Sequence, residues 1–186
     1  MKHLTILIDM DDVLQDLIGG WVNVLNTKFG TNVGVEDITD WNIGSFFPNV
    51  SKEELFSTLR DPNLWYSLKA IPRAQETVKQ IIKDGHTVRV VTASHYIGLP
   101  AKIEHFLSLY PFLSWKDIII AYDKSVISGD VIIDDGVHNL KTAICPHKML
   151  FERTHNLSYD AEVNGIIRVK SWDEVYDIIL KIGGVK

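Results

Sequence analysis

Leu4-Thr5-Ile6-Leu7-Ile8-Asp9-Met10-Asp11-Asp12-Val13 is the stretch that decides the fold. A short apolar run, Leu4 to Ile8, stops abruptly at an acidic cluster. Such a run reads as a strand buried on both faces, the kind found in parallel sheets. The two-residue period of a strand puts Asp9 and Asp11 on one side of the chain and Met10 on the other.

Working outward, the same pattern of strand and then helix recurs. Leu17, Ile18, Trp21, Val22, Leu25 and Phe29 fall at helical spacing, with Gly30 as the residue that ends the helix. Residues 31–50 mix Gly, Asn, Asp and Pro48 with aromatics and read as irregular. Ser51-Lys52-Glu53-Glu54 is a capping box opening a short helix through Leu55, Phe56 and Leu59, with Asp61-Pro62 as its stop. Ala74, Val78, Ile81 and Ile82 share a helical face that ends at Gly85, and Thr87 to Thr92 is a β-branched strand. A helix opening near Pro100 carries Ile103, Phe106, Leu107 and Leu109. Buried strands are predicted at Ile118 to Ala121 and Val131 to Ile133, the latter followed by Asp134-Asp135-Gly136. A helix around Leu140, strands at Met149 to Phe151 and Gly165 to Val169, and a helix capped by Ser171 complete the chain.

Strands alternating with helices specify an α/β fold, a Rossmann-like parallel sheet flanked by helices with right-handed crossovers. The stretch between the first strand and Thr87 is too long for a simple crossover. It therefore predicts a core built from residues 1–15 and 73–186, with residues 16–72 inserted after the first strand as a small helical cap.

The chain has 186 residues, 46% hydrophobic, which suffices for a substantial core and excludes a disordered chain. Its 24 acids outnumber its 19 bases, and without a basic stripe a polynucleotide partner is not expected. One cysteine, Cys145, allows no intramolecular disulfide. No apolar run approaches the ~18 residues of a membrane span, and no targeting segment fits, so a cytoplasmic location is expected.

Chemistry in an open α/β sheet sits beyond the carboxyl ends of its strands. Three such ends carry unusual polar groups: Asp9 to Asp12, Thr92-Ala93-Ser94, and Asp134-Asp135. If the strands ending at Asp9 and Asp134 are neighbours, their carboxylates converge, which is costly unless a cation joins them. Hard oxygen donors without thiolates or clustered histidines point to Mg²⁺. Thr92, Ser94 and the backbone amides after the second strand, Ala93 included, offer donors to phosphate, and Lys124 offers a further positive charge. Two carboxylates two residues apart suit a nucleophile and a proton donor.

These residues resemble the haloacid dehalogenase-like (HAD) phosphohydrolases. Asp9-Met10-Asp11-Asp12-Val13, Val90-Val91-Thr92, Lys124 and Ile132-Ile133-Asp134-Asp135 match that superfamily's four motifs in order. The opening through Leu14-Gln15-Asp16, the phrase Ile38-Thr39-Asp40-Trp41, and Asp123-Lys124 with Gly129 to Asp135 are similar to the 5′(3′)-deoxyribonucleotidase branch. The resemblance implies a Mg²⁺-dependent phosphomonoesterase acting on nucleoside monophosphates. Asp9 would form an aspartyl-phosphate, and Asp11 would be the general acid that then activates water. Thr92 and Lys124 would hold phosphate. Asp9, the Asp11 carbonyl and Asp134 would bind the metal, with Asp135 standing behind them. Asp12 replaces the branch's usual glycine, and Leu17 stands where it commonly places an aromatic; both bear on nucleotide preference.

Trp41, Phe47 and Trp65 are the cap's candidates for stacking on a base or sugar, although several cap aromatics are expected to form its core instead. Two other readings share these features. A phosphatase for another small phosphomonoester, such as a sugar phosphate, would differ in its cap. A phosphoacceptor signalling module carries its acceptor aspartate after the third strand, here Ala121-Tyr122-Asp123, and lacks the long insert. Assembly as a monomer or a homodimer is left open.

Overall fold

In the computed structural model, which describes residues 2–184, six parallel strands form one sheet. They are β1 (Thr5–Asp9), β2 (Thr87–Thr92), β3 (Ile118–Ile120), β4 (Val131–Asp134), β5 (His147–Phe151) and β6 (Ile167–Val169). Their order is β3-β2-β1-β4-β5-β6, with every pair parallel. This is the Rossmann order, distinct from the 2-1-3-4-5 order of flavodoxin-like sheets.

The helices are α1 (Leu17–Phe29), α2 (Lys52–Ser57), α3 (Pro62–Ser67), α4 (Ala74–Lys83), α5 (Leu99–Leu109), α6 (Val137–Thr142) and α7 (Trp172–Ile182). Alternation along β1 feeds both faces of the sheet. Ile6 and Ile8 join Val78 and Ile81 of α4, Phe106 of α5 and Val175 and Ile179 of α7 on one face. Leu7 joins Ile132, Leu150 and Leu140 of α6 on the other. Each such side chain contributes about 1.5–3 kcal/mol on burial, so β1, an interior strand with both faces covered, is firmly held.

Residues 17–68 gather their own apolar cluster, with Trp21, Leu25, Ile38, Phe47, Leu55, Leu64 and Trp65 at its centre and Ala101 of α5 reaching into it. The chain enters and leaves this segment at one joint: Gln15 bridges Ala70, Asp16 N–H donates to the Lys69 carbonyl, and Ile71 N–H to that of Leu14.

Local signals explain most boundaries. Gly30 ends α1 at a φ of 65°, and Ser51 and Glu54 form the expected reciprocal cap on α2. The helical run begun by α2 ends at Arg60, at the expected Asp61-Pro62 stop, and the same pair also starts α3: Asp61 accepts from Asn63 N–H, and proline at a first helical position sacrifices no hydrogen bond. Two expectations need correction. The third strand is not buried throughout, because β3 is the sheet's edge and Ile120 is 56% exposed. Gly165, at a φ of 68°, closes a turn before β6 instead of opening the strand.

Candidate active site

Register brings the acidic strand ends together. Ile8 pairs with Ile133, so the next residues on β1 and β4 are Asp9 and Asp134, and Asp9 itself pairs with Val91, one residue before Thr92. Carboxylate oxygens of Asp9, Asp134 and Asp135 lie within 4.8 Å of one another, all buried. Lys124 Nζ stands between two of them, 2.6 Å from Asp9 Oδ1 and 2.7 Å from Asp134 Oδ2. Asp134 is further held by Gly136 N–H at 2.7 Å and Asn139 Nδ2 at 3.0 Å.

Electrostatics follow from this crowding. Burial raises the Asp9 carboxyl well above the usual range, and Asp134, Asp135 and Asp11 add to the rise while Lys124 opposes it. Burial and then the Asp134 charge push Asp135 up to about 7. For Lys124, burial pulls downward, but Asp9 and Asp134 outweigh it and hold the ammonium above the ordinary lysine value. Three carboxyls sharing one lysine leave the cluster short of positive charge, and its donors are hard oxygens. That donor set fits Mg²⁺.

Thr92, at the end of β2, keeps its hydroxyl buried and without a partner. Such an orphaned donor is costly unless a ligand satisfies it. Ser94 Oγ turns 3.5 Å toward the His95 carbonyl, and Ala93 lines the open cleft.

Asp11 is held from two sides. Gln15 Nε2 donates to its Oδ1 at 3.0 Å, and Lys102 Nζ contacts its Oδ2. Lys102 is absent from the sequence reading, yet its side chain is fully buried. The signal was there: it precedes the buried Phe106 and Tyr110 by four and eight residues on the inward face of α5. His155, also unanticipated, places Nε2 2.9 Å from Asp135 Oδ2, in close approach without hydrogen-bond alignment. Burial lowers its pKa, leaving it neutral near pH 7.

Asp12 adopts a left-handed φ of 57°, which accounts for the glycine usual at this position in the resembled branch. Its Oδ1 accepts from Ile18 N–H at 2.9 Å, and Arg153 Nε donates to its carbonyl at 2.6 Å.

The strand ends and the segment of residues 17–68 enclose a cleft of about 580 Å³ lined by Asp9, Asp11, Leu17, Trp41, Lys124 and His138, among others. That volume suits a small organic ligand. Trp41 is 58% exposed, its ring edge-on to His138 and His155 at 4.7 and 5.3 Å between centroids. Phe47 is buried in the apolar cluster of residues 17–68 and does not line the cleft, and neither does Trp65, whose ring lies over Lys102.

Comparison with known proteins agrees with this geometry. Among solved structures, a HAD family hydrolase from Deinococcus radiodurans with bound phosphate and sodium matches at a TM-score of 0.64 and 15% identity, covering 96% of each chain. A haloacid dehalogenase-like protein from Agrobacterium tumefaciens matches at 0.62 and 15%, covering 96% of this chain and 98% of its own. A 5′(3′)-deoxyribonucleotidase of Bacillus subtilis (strain 168) is 33% identical over 171 residues, 91% of this chain and 95% of the relative. Another from Clostridium acetobutylicum is 28% identical over 174 residues, covering 94% and 93%. The family model described as 5′ nucleotidase, deoxy (pyrimidine), cytosolic type C matches residues 2–183. With a HAD-type sheet carrying its acidic strand ends to one cleft, the chain belongs to this family of phosphomonoester hydrolases.

Proposed function

We propose that the chain removes the phosphate from nucleoside monophosphates, deoxyribonucleotides foremost, with Asp9 as nucleophile, and that it works in the cytoplasm. The observation that carries this reading is Asp9 at the end of the central strand, facing Lys124 and one register step from the unpartnered Thr92 hydroxyl. Residues 16–72 act as the cap, placing Trp41 and Leu17 on the nucleoside side of the cleft.

Thr92 Oγ, the Ala93 and Ser94 backbone amides and Lys124 hold the phosphate oxygens. An Asp9 carboxylate oxygen bonds to phosphorus as the phosphorus–oxygen bond to the nucleoside breaks. The departing oxygen takes the proton carried by Asp11. Water then attacks the aspartyl-phosphate, Asp11 takes its proton, and the bond between Asp9 and phosphorus breaks to give inorganic phosphate. Splitting the reaction in two lowers each barrier. Much of what the site must supply is position and charge neutralisation, because phosphoryl transfer passes through a loose transition state. Asp9, Asp134 and the Asp11 carbonyl would hold Mg²⁺, with Asp135 behind. When bound, it supplies positive charge against the phosphate oxygens.

Phosphate release should be measured across nucleoside 5′- and 3′-monophosphates and sugar phosphates. Deoxyribonucleotides are expected to turn over fastest, EDTA to stop release, and Asp9→Asn to abolish it. Release that survives either treatment, or that favours sugar phosphates, would overturn the reading.

A further inference from the structure

A lysine with no exposed side-chain surface is expensive to fold, since desolvating an ammonium costs several kcal/mol unless it is fully paired. Lys102 is such a lysine, and Asp11 is its one carboxylate partner. Its Nζ meets Asp11 Oδ2, donates to the Ala93 carbonyl at 3.1 Å, and sits 4.9 Å from the centre of the Trp65 ring. The indole face is itself a favourable surface for a desolvated cation.

Trp65 is fixed in turn. It is buried, and its Nε1 donates to the Leu59 carbonyl at 2.9 Å. The approach of core to cap here is close enough to require a glycine: a Cβ on Gly98 would stand 2.3 Å from the Leu59 carbonyl oxygen and 2.9 Å from Trp65 Nε1. On the opposite side, Gln15 Nε2 holds Asp11 Oδ1 at 3.0 Å. The ammonium therefore ties three things together: the acid–base carboxyl, the loop that follows Thr92, and the cap.

We propose that Lys102 is the positioning residue for Asp11, setting its carboxyl at a fixed offset from the phosphate loop, and that Trp65 of the cap locks Lys102 in place. The proposal rests on Asp11 as the acid–base group. Lys102 does not line the cleft, and Asp11 is the one proposed reacting group it touches. It acts by aiming the proton that passes from Asp11 to the departing oxygen as the phosphorus–oxygen bond breaks.

Leaving-group dependence separates this role from a merely structural one. The parameter kcat/KM covers steps up to the first irreversible one, here departure of the alcohol. A nucleoside leaves as a basic alkoxide that needs the proton, whereas p-nitrophenolate does not. Lys102→Met should lower kcat/KM for a deoxyribonucleoside 5′-monophosphate by about 100-fold or more, the low end of what a general acid supplies. For p-nitrophenyl phosphate the loss should stay below about tenfold, again because that ester needs little acid catalysis. Trp65→Leu should show the same bias at smaller size, and Asp11→Asn combined with Lys102→Met should be no worse than Asp11→Asn alone.

Equal losses for both esters, or additive losses in the double variant, would overturn the proposal. If Lys102→Met melts below the assay temperature, Lys102→Gln is read by the same ratio. A wild-type chain that ignores nucleotides but cleaves another alkyl phosphate would overturn the substrate assignment alone. The ratio is then read on that ester.

Discussion

Asp12 shows how one residue can be at odds with its backbone and still be kept. A non-glycine residue in the left-handed region costs about 1–2 kcal/mol, and aspartate and asparagine tolerate it best. Burial, and then the Asp135 charge, raise the Asp12 carboxyl well above the usual range, so its charge is a burden as well. Against this stands the bond to Ile18 N–H at the start of α1. Asp12→Asn keeps that bond and drops the charge, and should raise stability by about 1 kcal/mol in urea unfolding, comparable to one net hydrogen bond. Asp12→Val should lose about 2 kcal/mol, from the strain of a β-branched residue at this φ. At this scale the strand-end residues were legible, because each of Asp9, Thr92 and Asp134 ends an apolar run. The burial of Lys102 was legible in its spacing to Phe106 and Tyr110, but its contact with Asp11, like that of His155 with Asp135, was not, because it depends on how α5 and the segment after β5 pack.

Among the elements, α5 and α7 brace the turn after β1 from behind. Tyr110, just past α5, donates its hydroxyl to the Leu14 carbonyl at 2.7 Å, and Trp172 of α7 donates Nε1 to the Val13 carbonyl at 3.0 Å. Tyr110→Phe leaves that brace unmade and should cost about 0.5–1.5 kcal/mol, the net worth of one hydrogen bond, because Ile71 N–H still satisfies the Leu14 carbonyl. A fall in kcat/KM larger than the change in KM would show that the catalytic turn has loosened. The start of β1 carries its own pH sensitivity. Leu4 N–H donates to His86 Nδ1 at 3.2 Å, so the imidazole must be neutral, and burial lowers its pKa below 6.5. The unfolded chain then binds the proton first, and this contribution to stability is present above pH 6.5 and lost as pH falls toward the folded value. Thermal melts of wild type and His86→Asn should diverge with rising pH across that interval. Element identity was largely legible from periodicity. The errors fell on β3, which the topology put at the edge, and on Gly165, which closes a turn, while α3 was missed because its proline also serves as a start.

For the whole molecule, the excess of acid is concentrated where it has a use. Among the described residues no helix is long and apolar enough to cross a membrane, and the net charge of −5 disfavours polyanions. A bound dication should therefore stabilise the entire fold through the centre of its sheet. Mg²⁺ at about 100 times its Kd should add about 2.7 kcal/mol, read as a rise in Tm that Asp134→Asn abolishes. An equal rise in that variant would place the ion elsewhere. The parallel α/β architecture was legible from the alternation of strands and helices, whereas the order of the strands was not, because it depends on how the crossovers pack. The joint between the sheet and the inserted segment was not legible either, because Gln15 and Ala70 lie 55 residues apart and meet only through folding.

That joint has a consequence for how such enzymes can diversify. Because the chain leaves and rejoins the core at adjoining backbone positions, the segment between is a cassette whose length and content can change while both splice points stay put. Provided Trp65 keeps its place over Lys102, selection could rewrite which alcohol is admitted while the residues proposed to act on phosphorus stay as they are. By the same logic, a protein engineer could exchange cassettes between relatives at Asp16 and Lys69, where a single pair of backbone hydrogen-bonding groups marks the seam.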